Sequence, residues 1–166
     1  MPVRIITGNI DSGKTSHLKR LSGDAGCWGI LSVKVFSGNA HIGYDAALIG
    51  SPDTITLVRE PEENDETDGW FRYRRFDFNG NAFTRCNAHL LAAFRTNTGN
   101  RRLGTCIVDE AGPLEMEGRG FFPALSRIIP AYDAAADLLY ISVRPSLVEE
   151  VQGRFGFSAA EITALP

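Results

Sequence analysis

Between a β-prone run, Val3-Arg4-Ile5-Ile6-Thr7, and a helix-compatible run, Lys14 to Leu21, stands the octet Gly8-Asn9-Ile10-Asp11-Ser12-Gly13-Lys14-Thr15. A glycine at either end, then a lysine and a hydroxyl residue, constrain this chain more than any other feature it has. The glycines let the loop wrap with its N–H groups turned inward, and the helix that follows sets its partial positive end against whatever the loop encloses. A strand, a wrapped loop and a helix in that order open an α/β layer fold. Ser22-Gly23-Asp24 then stops the helix.

The rest of the chain continues the alternation. Ile30 to Phe36 and Ala40 to Ala46, joined by Ser37-Gly38-Asn39, read as a β-hairpin, and Thr54 to Val58 as a further strand. The acidic stretch Glu60 to Asp68 reads as an exposed, solvated loop. Phe71 to Phe76 alternates aromatic with basic residues at the strand period, and a helix is expected from Ala82 to about Thr96 after Asn79-Gly80-Asn81. Following the polar connector Thr98 to Arg102, Thr105-Cys106-Ile107-Val108 is an apolar run of the kind found in buried parallel strands, closed by Asp109-Glu110. Phe121 to Ala135 reads as a helix bent at Pro130, Leu138 to Val143 as a strand, and Ser146 to Phe155 as a helix capped by Ser146. At 166 residues this is one domain, residues 1–166.

The octet has the form G-x-x-x-x-G-K-[ST], which cradles phosphates on its backbone. Residues Gly8, Asn9, Ile10, Asp11, Ser12, Gly13, Lys14 and Thr15 are the expected binding loop, with Ser16 at the α-phosphate region. Lys14 would reach the β- and γ-phosphates. The Thr15 hydroxyl would coordinate Mg²⁺, a hard cation that prefers oxygen ligands and keeps several waters. Such a site needs a carboxylate for the metal's hydration shell, and Asp109 fits that role. Glu110, beside it on a strand, would face the other way and is the expected general base for an attacking water. Arg119 and Arg144 are candidates for a cation that meets the developing charge.

Several classes are disfavoured. The net charge of -3 lacks the basic field of a nucleic-acid binder, although Arg72, Arg74 and Arg75 among aromatics form a small basic surface. No apolar run is long enough to cross a bilayer, and the amino-terminal residues do not resemble a signal peptide, so a cytoplasmic protein is expected. Cys27, Cys86 and Cys106 lack metal-ligand spacing, and His17, His41 and His89 suggest no zinc site. Trp28 and Trp70 are expected to pack against the sheet.

Beyond the two motifs, the chain resembles the THEP1-type nucleoside-triphosphatases, also called cancer-related nucleoside-triphosphatases. Gly29-Ile30-Leu31-Ser32 through Gly38 to Ile42-Gly43-Tyr44-Asp45 is similar to that family's glycine-bounded hairpin. Arg75-Phe76-Asp77-Phe78 resembles its aromatic segment before the central helix, and Asp109-Glu110-Ala111-Gly112-Pro113-Leu114-Glu115-Met116 its Asp-Glu-Ile-Gly-Pro-Met-Glu-Leu signature. Ala111 and Val33-Lys34-Val35-Phe36 depart from the family's pattern. The resemblance implies a three-layer, RecA-like P-loop fold with a mainly parallel central sheet and a β-hairpin extension. It also implies Glu110 as catalytic base and slow, Mg²⁺-dependent hydrolysis of several nucleoside triphosphates. Glu115 aligns with the second glutamate of the signature, where it would order either the loop or the water. The residues also suit a nucleotide or small-molecule kinase, in which an acceptor replaces water, or a nucleotide-dependent switch for a protein partner of unknown kind.

Overall fold

The computed structural model describes residues 3–61, 68–99, 103–133, 137–157 and 161–166. In chain order its elements are β1 (Val3–Thr7), α1 (Lys14–Leu21), β2 (Cys27–Ser37), β3 (Ala40–Ile49), β4 (Thr54–Arg59), β5 (Trp70–Tyr73), β6 (Phe76–Asn79), α2 (Gly80–Gly99), β7 (Thr105–Ala111), α3 (Pro113–Met116), α4 (Phe122–Asp133), β8 (Leu139–Val143), α5 (Val148–Phe155) and β9 (Glu161–Ala164). A 3₁₀ turn, Pro145–Leu147, leads into α5.

The strands form one sheet in the order β5-β6-β4-β3-β2-β7-β8-β1-β9. From β2 to β9 all neighbours are parallel, and from β2 outward to β5 all are antiparallel. The expected parallel centre is present. The expected hairpin extension proves to be a wing in which β2–β3 is only the first pairing.

Period-two alternation divides the core into the two sides of a three-layer fold. Val3 and Ile5 of β1, Trp28 and Ile30 of β2, and Cys106 and Val108 of β7 point to the side packed by α2, α4 and α5. Ile6, Leu31 and Ile107 point to the opposite side, against Leu18 of α1. Leu18 is the one fully buried side chain of that helix, and burial of this kind stabilises by about 1.5–3 kcal/mol. It therefore anchors the loop before α1 to the sheet. Trp28 donates its indole N–H to the Leu103 carbonyl at 2.7 Å, as a core residue must.

Four expectations are corrected. Phe71 to Phe76 is not one strand: the chain turns at Arg74, whose φ is 55°, so β5 and β6 pair as a short hairpin. The central helix begins earlier than Ala82, at Gly80, because Asn79 Oδ1 accepts the Ala82 N–H at 3.0 Å and serves as its cap. Ser146 does not cap the last helix; it lies in the 3₁₀ turn, and Leu147 precedes α5 without a side-chain cap. The run from Thr105 extends through Ala111, so Asp109 and Glu110 lie within β7. Pro130 sits inside α4. Residues 62–67, 100–102 and 134–136, which include much of the expected acidic loop, lie outside the described residues. Among the described residues no helix is long and apolar enough to cross a membrane.

Candidate active site

β1 delivers the chain to the loop at the carboxyl end of the parallel strands. Gly13 sits at φ 86° directly before α1, where only a residue without Cβ is unstrained, and α1 has no side-chain cap. The first N–H groups of α1 therefore face the loop interior with no partner from their own helix. Gly8 is required by contact: a Cβ there would lie 2.4 Å from Ser12 Oγ and 2.9 Å from the Leu165 carbonyl, which the strand β9 brings alongside. The Thr7 hydroxyl, beside the loop, is buried without a partner among the described residues. Uncapped N–H groups and an unpartnered hydroxyl suit a polar anion such as phosphate.

Lys14 reaches back across this loop, its Nζ donating to the carbonyls of Gly8 and Asn9, each at 2.7 Å. Burial lowers its pKa, and the nearby Glu110 and Asp109 carboxylates oppose that shift. Asn9, Ile10 and Ser16 are exposed. Asp11 is held in the left-handed region, φ 67°, and pairs with Lys34 of β2.

Asp109 is 1% exposed, and three hydrogen bonds reach its carboxylate. Its carboxylate accepts from the Thr15 hydroxyl at 2.7 Å, from the Ser32 N–H at 3.2 Å and from the Ser142 hydroxyl. Burial still raises its pKa, against those three bonds. The Thr15–Asp109 contact joins the loop to β7 and brings together the two oxygen groups expected at the metal. Among the described residues no group of three or more His, Cys, Asp or Glu could hold a metal. Thr15 and Asp109 together supply two oxygen donors, a set that fits a cation drawing its other ligands from phosphates and water, the habit of Mg²⁺.

Glu110 departs from simple strand alternation. The β7–β8 register shifts between Val108 and Ala111, and Glu110 has φ 69°, so a bulge interrupts the ladder at this residue. Its N–H donates to Ser142 Oγ at 2.7 Å while the same hydroxyl donates to Asp109, so one serine ties both acids. Arg144, just past β8, donates to Glu110 Oε1 at 3.4 Å. Burial raises the Glu110 pKa and Asp109 adds to the rise, against Arg144 and Lys14. Of the two candidate arginines, Arg144 is thus at the site. Arg119 instead lies over the Phe71 ring, 4.0 Å from its centroid, and 3.7 Å from Glu117.

Glu115 is 3% exposed and accepts the N–H of Gly112 and of Phe121, each at 2.7 Å. It closes the segment between β7 and α4, which agrees with ordering of the loop; burial pushes its pKa up to about 7. Ser32 and Ser142 were not foreseen. Their only sequence signal is a small polar residue interrupting an apolar strand run, each followed by a valine.

Beside Glu110 and Arg144 opens a cavity of about 890 Å³, walled by the β2–β3 hairpin, the β5–β6 hairpin and the segment after β7. Cys86 and Cys106 are buried, and Cys27 is half-buried.

The chain matches no family model and no curated protein in sequence. Two solved structures share its architecture. The crystal structure of THEP1 from the hyperthermophile Aquifex aeolicus superposes with a TM-score of 0.73 at 17% identity, over 98% of this chain and 89% of that one. The solution structure of a human cancer-related nucleoside triphosphatase gives a TM-score of 0.63 at 17% identity, over 99% and 88%. Such identity speaks to fold, and on that level the likeness drawn from the motifs holds: the chain has the mixed α/β fold of these two proteins across nearly its whole length.

Proposed function

We propose that this chain is a Mg²⁺-dependent nucleoside-triphosphatase that releases diphosphate and phosphate. The observation that carries the reading is the convergence of Lys14, the Thr15–Asp109 pair and the bulged Glu110 at the same strand ends. In this reading the backbone from Gly8 to Thr15 takes the triphosphate, with Lys14 exchanging loop carbonyls for phosphate oxygens. Thr15 and Asp109 hold Mg²⁺, which when bound neutralises phosphate charge. Glu110 orients a water on the γ side and accepts its proton as the oxygen attacks. A raised pKa brings the carboxylate nearer neutrality, where it serves better as a base. Arg144 keeps that carboxylate in place.

These groups act at the phosphates and leave the base untouched, which supports broad base tolerance. Catalysis rests on positioning and electrostatics from within the chain, which supports a slow rate. The test is phosphate release from ATP, GTP, CTP and UTP with Mg²⁺, comparing the wild type with Lys14→Ala and Glu110→Gln. Loss of a general base costs about 10²–10⁴-fold, so Glu110→Gln should bind nucleotide yet fall in rate by that factor. Unchanged release in Glu110→Gln would refute its role, and no release by folded wild type would refute the hydrolase.

A further inference from the structure

The cavity beside Glu110 is larger than water requires, and its lining has a specific chemistry. Ile10 and Asp11 of the loop, with Glu110 and Arg144, form the wall shared with the γ side of the phosphate site. The far walls are aromatic. His41 lies 4.7 Å from Tyr44, 5.7 Å from Phe36 and 6.2 Å from Phe76 between ring centroids, so four rings from three strands form one cluster. Phe36 is 56% exposed, an open face of the kind on which a planar ring stacks.

The charges of the lining do not cancel. Asp11 is paired with Lys34, Glu110 with Arg144, and Glu115 with two backbone N–H groups. Arg74 and Arg75, on the turn between β5 and β6, lie over the rings of Tyr73 and Phe76 at 5.8 Å and 4.5 Å. Among the described residues neither has a carboxylate partner. Arg74 also holds a left-handed φ of 55° in a position where glycine or asparagine would be unstrained. Two guanidinium groups braced on aromatic rings and open to a cavity are a binding arrangement for an anion attached to a planar ring. The volume of about 890 Å³ lies in the range of small-molecule sites.

We propose that this cavity is an acceptor site for an alcohol that carries both a heteroaromatic ring and a phosphate monoester, of the nucleoside monophosphate class, and that the γ-phosphoryl group is transferred to its hydroxyl. The proposal rests on the triphosphate site described above and adds an acceptor to it. The ring stacks in the aromatic cluster, the monoester meets Arg74 and Arg75, and the hydroxyl faces Glu110, the lining carboxylate held only by a long contact to Arg144. The alcohol oxygen attacks the γ-phosphorus as the bond to the bridging β–γ oxygen breaks. That bond's electron pair leaves with the nucleoside diphosphate, and the alcohol proton passes to Glu110.

The test fills the triphosphate site with a non-hydrolysable Mg²⁺–triphosphate analogue. Binding of AMP, GMP, CMP and UMP is then measured by equilibrium dialysis, with the unphosphorylated nucleosides and inorganic phosphate as comparison arms. At least one monophosphate should bind more tightly than either arm. The double variant Arg74→Gly with Arg75→Ala should weaken it at least tenfold, glycine being suited to the turn's backbone. With γ-labelled ATP in place of the analogue, label should appear in the monophosphate. Absence of monophosphate binding, binding indifferent to the two arginines, or binding no better than inorganic phosphate overturns the proposal. So does label recovered only as free phosphate. Acceptor-free phosphate release by the wild type is scored separately: release without transfer keeps the hydrolase and rejects the acceptor site, and transfer without release does the reverse.

Discussion

Glu115→Ala removes the common acceptor of two N–H groups that close the segment between β7 and α4. The Phe121 N–H is buried and the Gly112 N–H partly so. A buried donor left without a partner costs about 1–3 kcal/mol, which places the combined loss at about 3 kcal/mol. At roughly 2–4 °C per kcal/mol for a domain near this size, the melting temperature should fall by about 6–12 °C. Glu115→Gln keeps one acceptor and should lose about half as much at low pH. The comparison also has a pH signature. Burial raises the Glu115 pKa from 4.5 to about 7, so the folded state binds the proton more tightly than the unfolded chain. Its contribution to stability is complete below about pH 4.5 and is lost as pH rises through about 7. At 1.36 kcal/mol per pKa unit, wild type should lose on the order of 3 kcal/mol relative to Glu115→Gln across that window. Urea unfolding of the three proteins at several pH values measures both effects. A Glu115→Ala unfolding free energy within about 0.5 kcal/mol of wild type below about pH 4.5, where the wild-type contribution is complete, or a Gln–wild-type difference flat with pH, would refute the reasoning.

Two further outcomes follow from the geometry. Gly29→Ala places a Cβ 1.9 Å from the Ile107 carbonyl at a φ of 132°, so the β2–β7 pairing must shift; a loss of about 2–5 kcal/mol in urea unfolding is expected, and less than about 1 kcal/mol would contradict it. Arg144→Ala removes the cation that holds the Glu110 pKa down, so the acid limb of kcat/KM against pH should move to higher pH; an unmoved limb would show that Arg144 does not set that ionisation.

Much of the parallel half was legible because its signals are local. The glycine spacing around Lys14, the β-prone runs and the acids closing an apolar stretch located β1, α1, β7 and the loop between β1 and α1, and α1 occupies the expected Lys14 to Leu21. The antiparallel wing was less legible. The aromatic–basic alternation breaks only where Arg75 repeats the basic Arg74, and with no glycine, proline or asparagine beside it that break is a weak mark of the turn that separates β5 from β6. Glu110 is the sharper case. Alternation assigned it to the face opposite Asp109, whereas its conformation comes from a register mismatch with β8, a property of two strands that neither strand's sequence carries alone. Ser142, which ties both acids, was overlooked for the same reason: its partners are 33 and 32 residues away.

The change of strand direction at β2 divides the sheet into regions with different freedom to vary. On one side, Thr15 bonds Asp109 and Ser142 ties Asp109 to Glu110, so a substitution there meets several partners at once. On the other, the turn at Arg74 and Arg75 and the exposed ring of Phe36 belong to hairpins whose side chains open on the cavity. A substitution on that wing therefore changes what the cavity admits while the partners of Asp109 and Glu110 stay as they are.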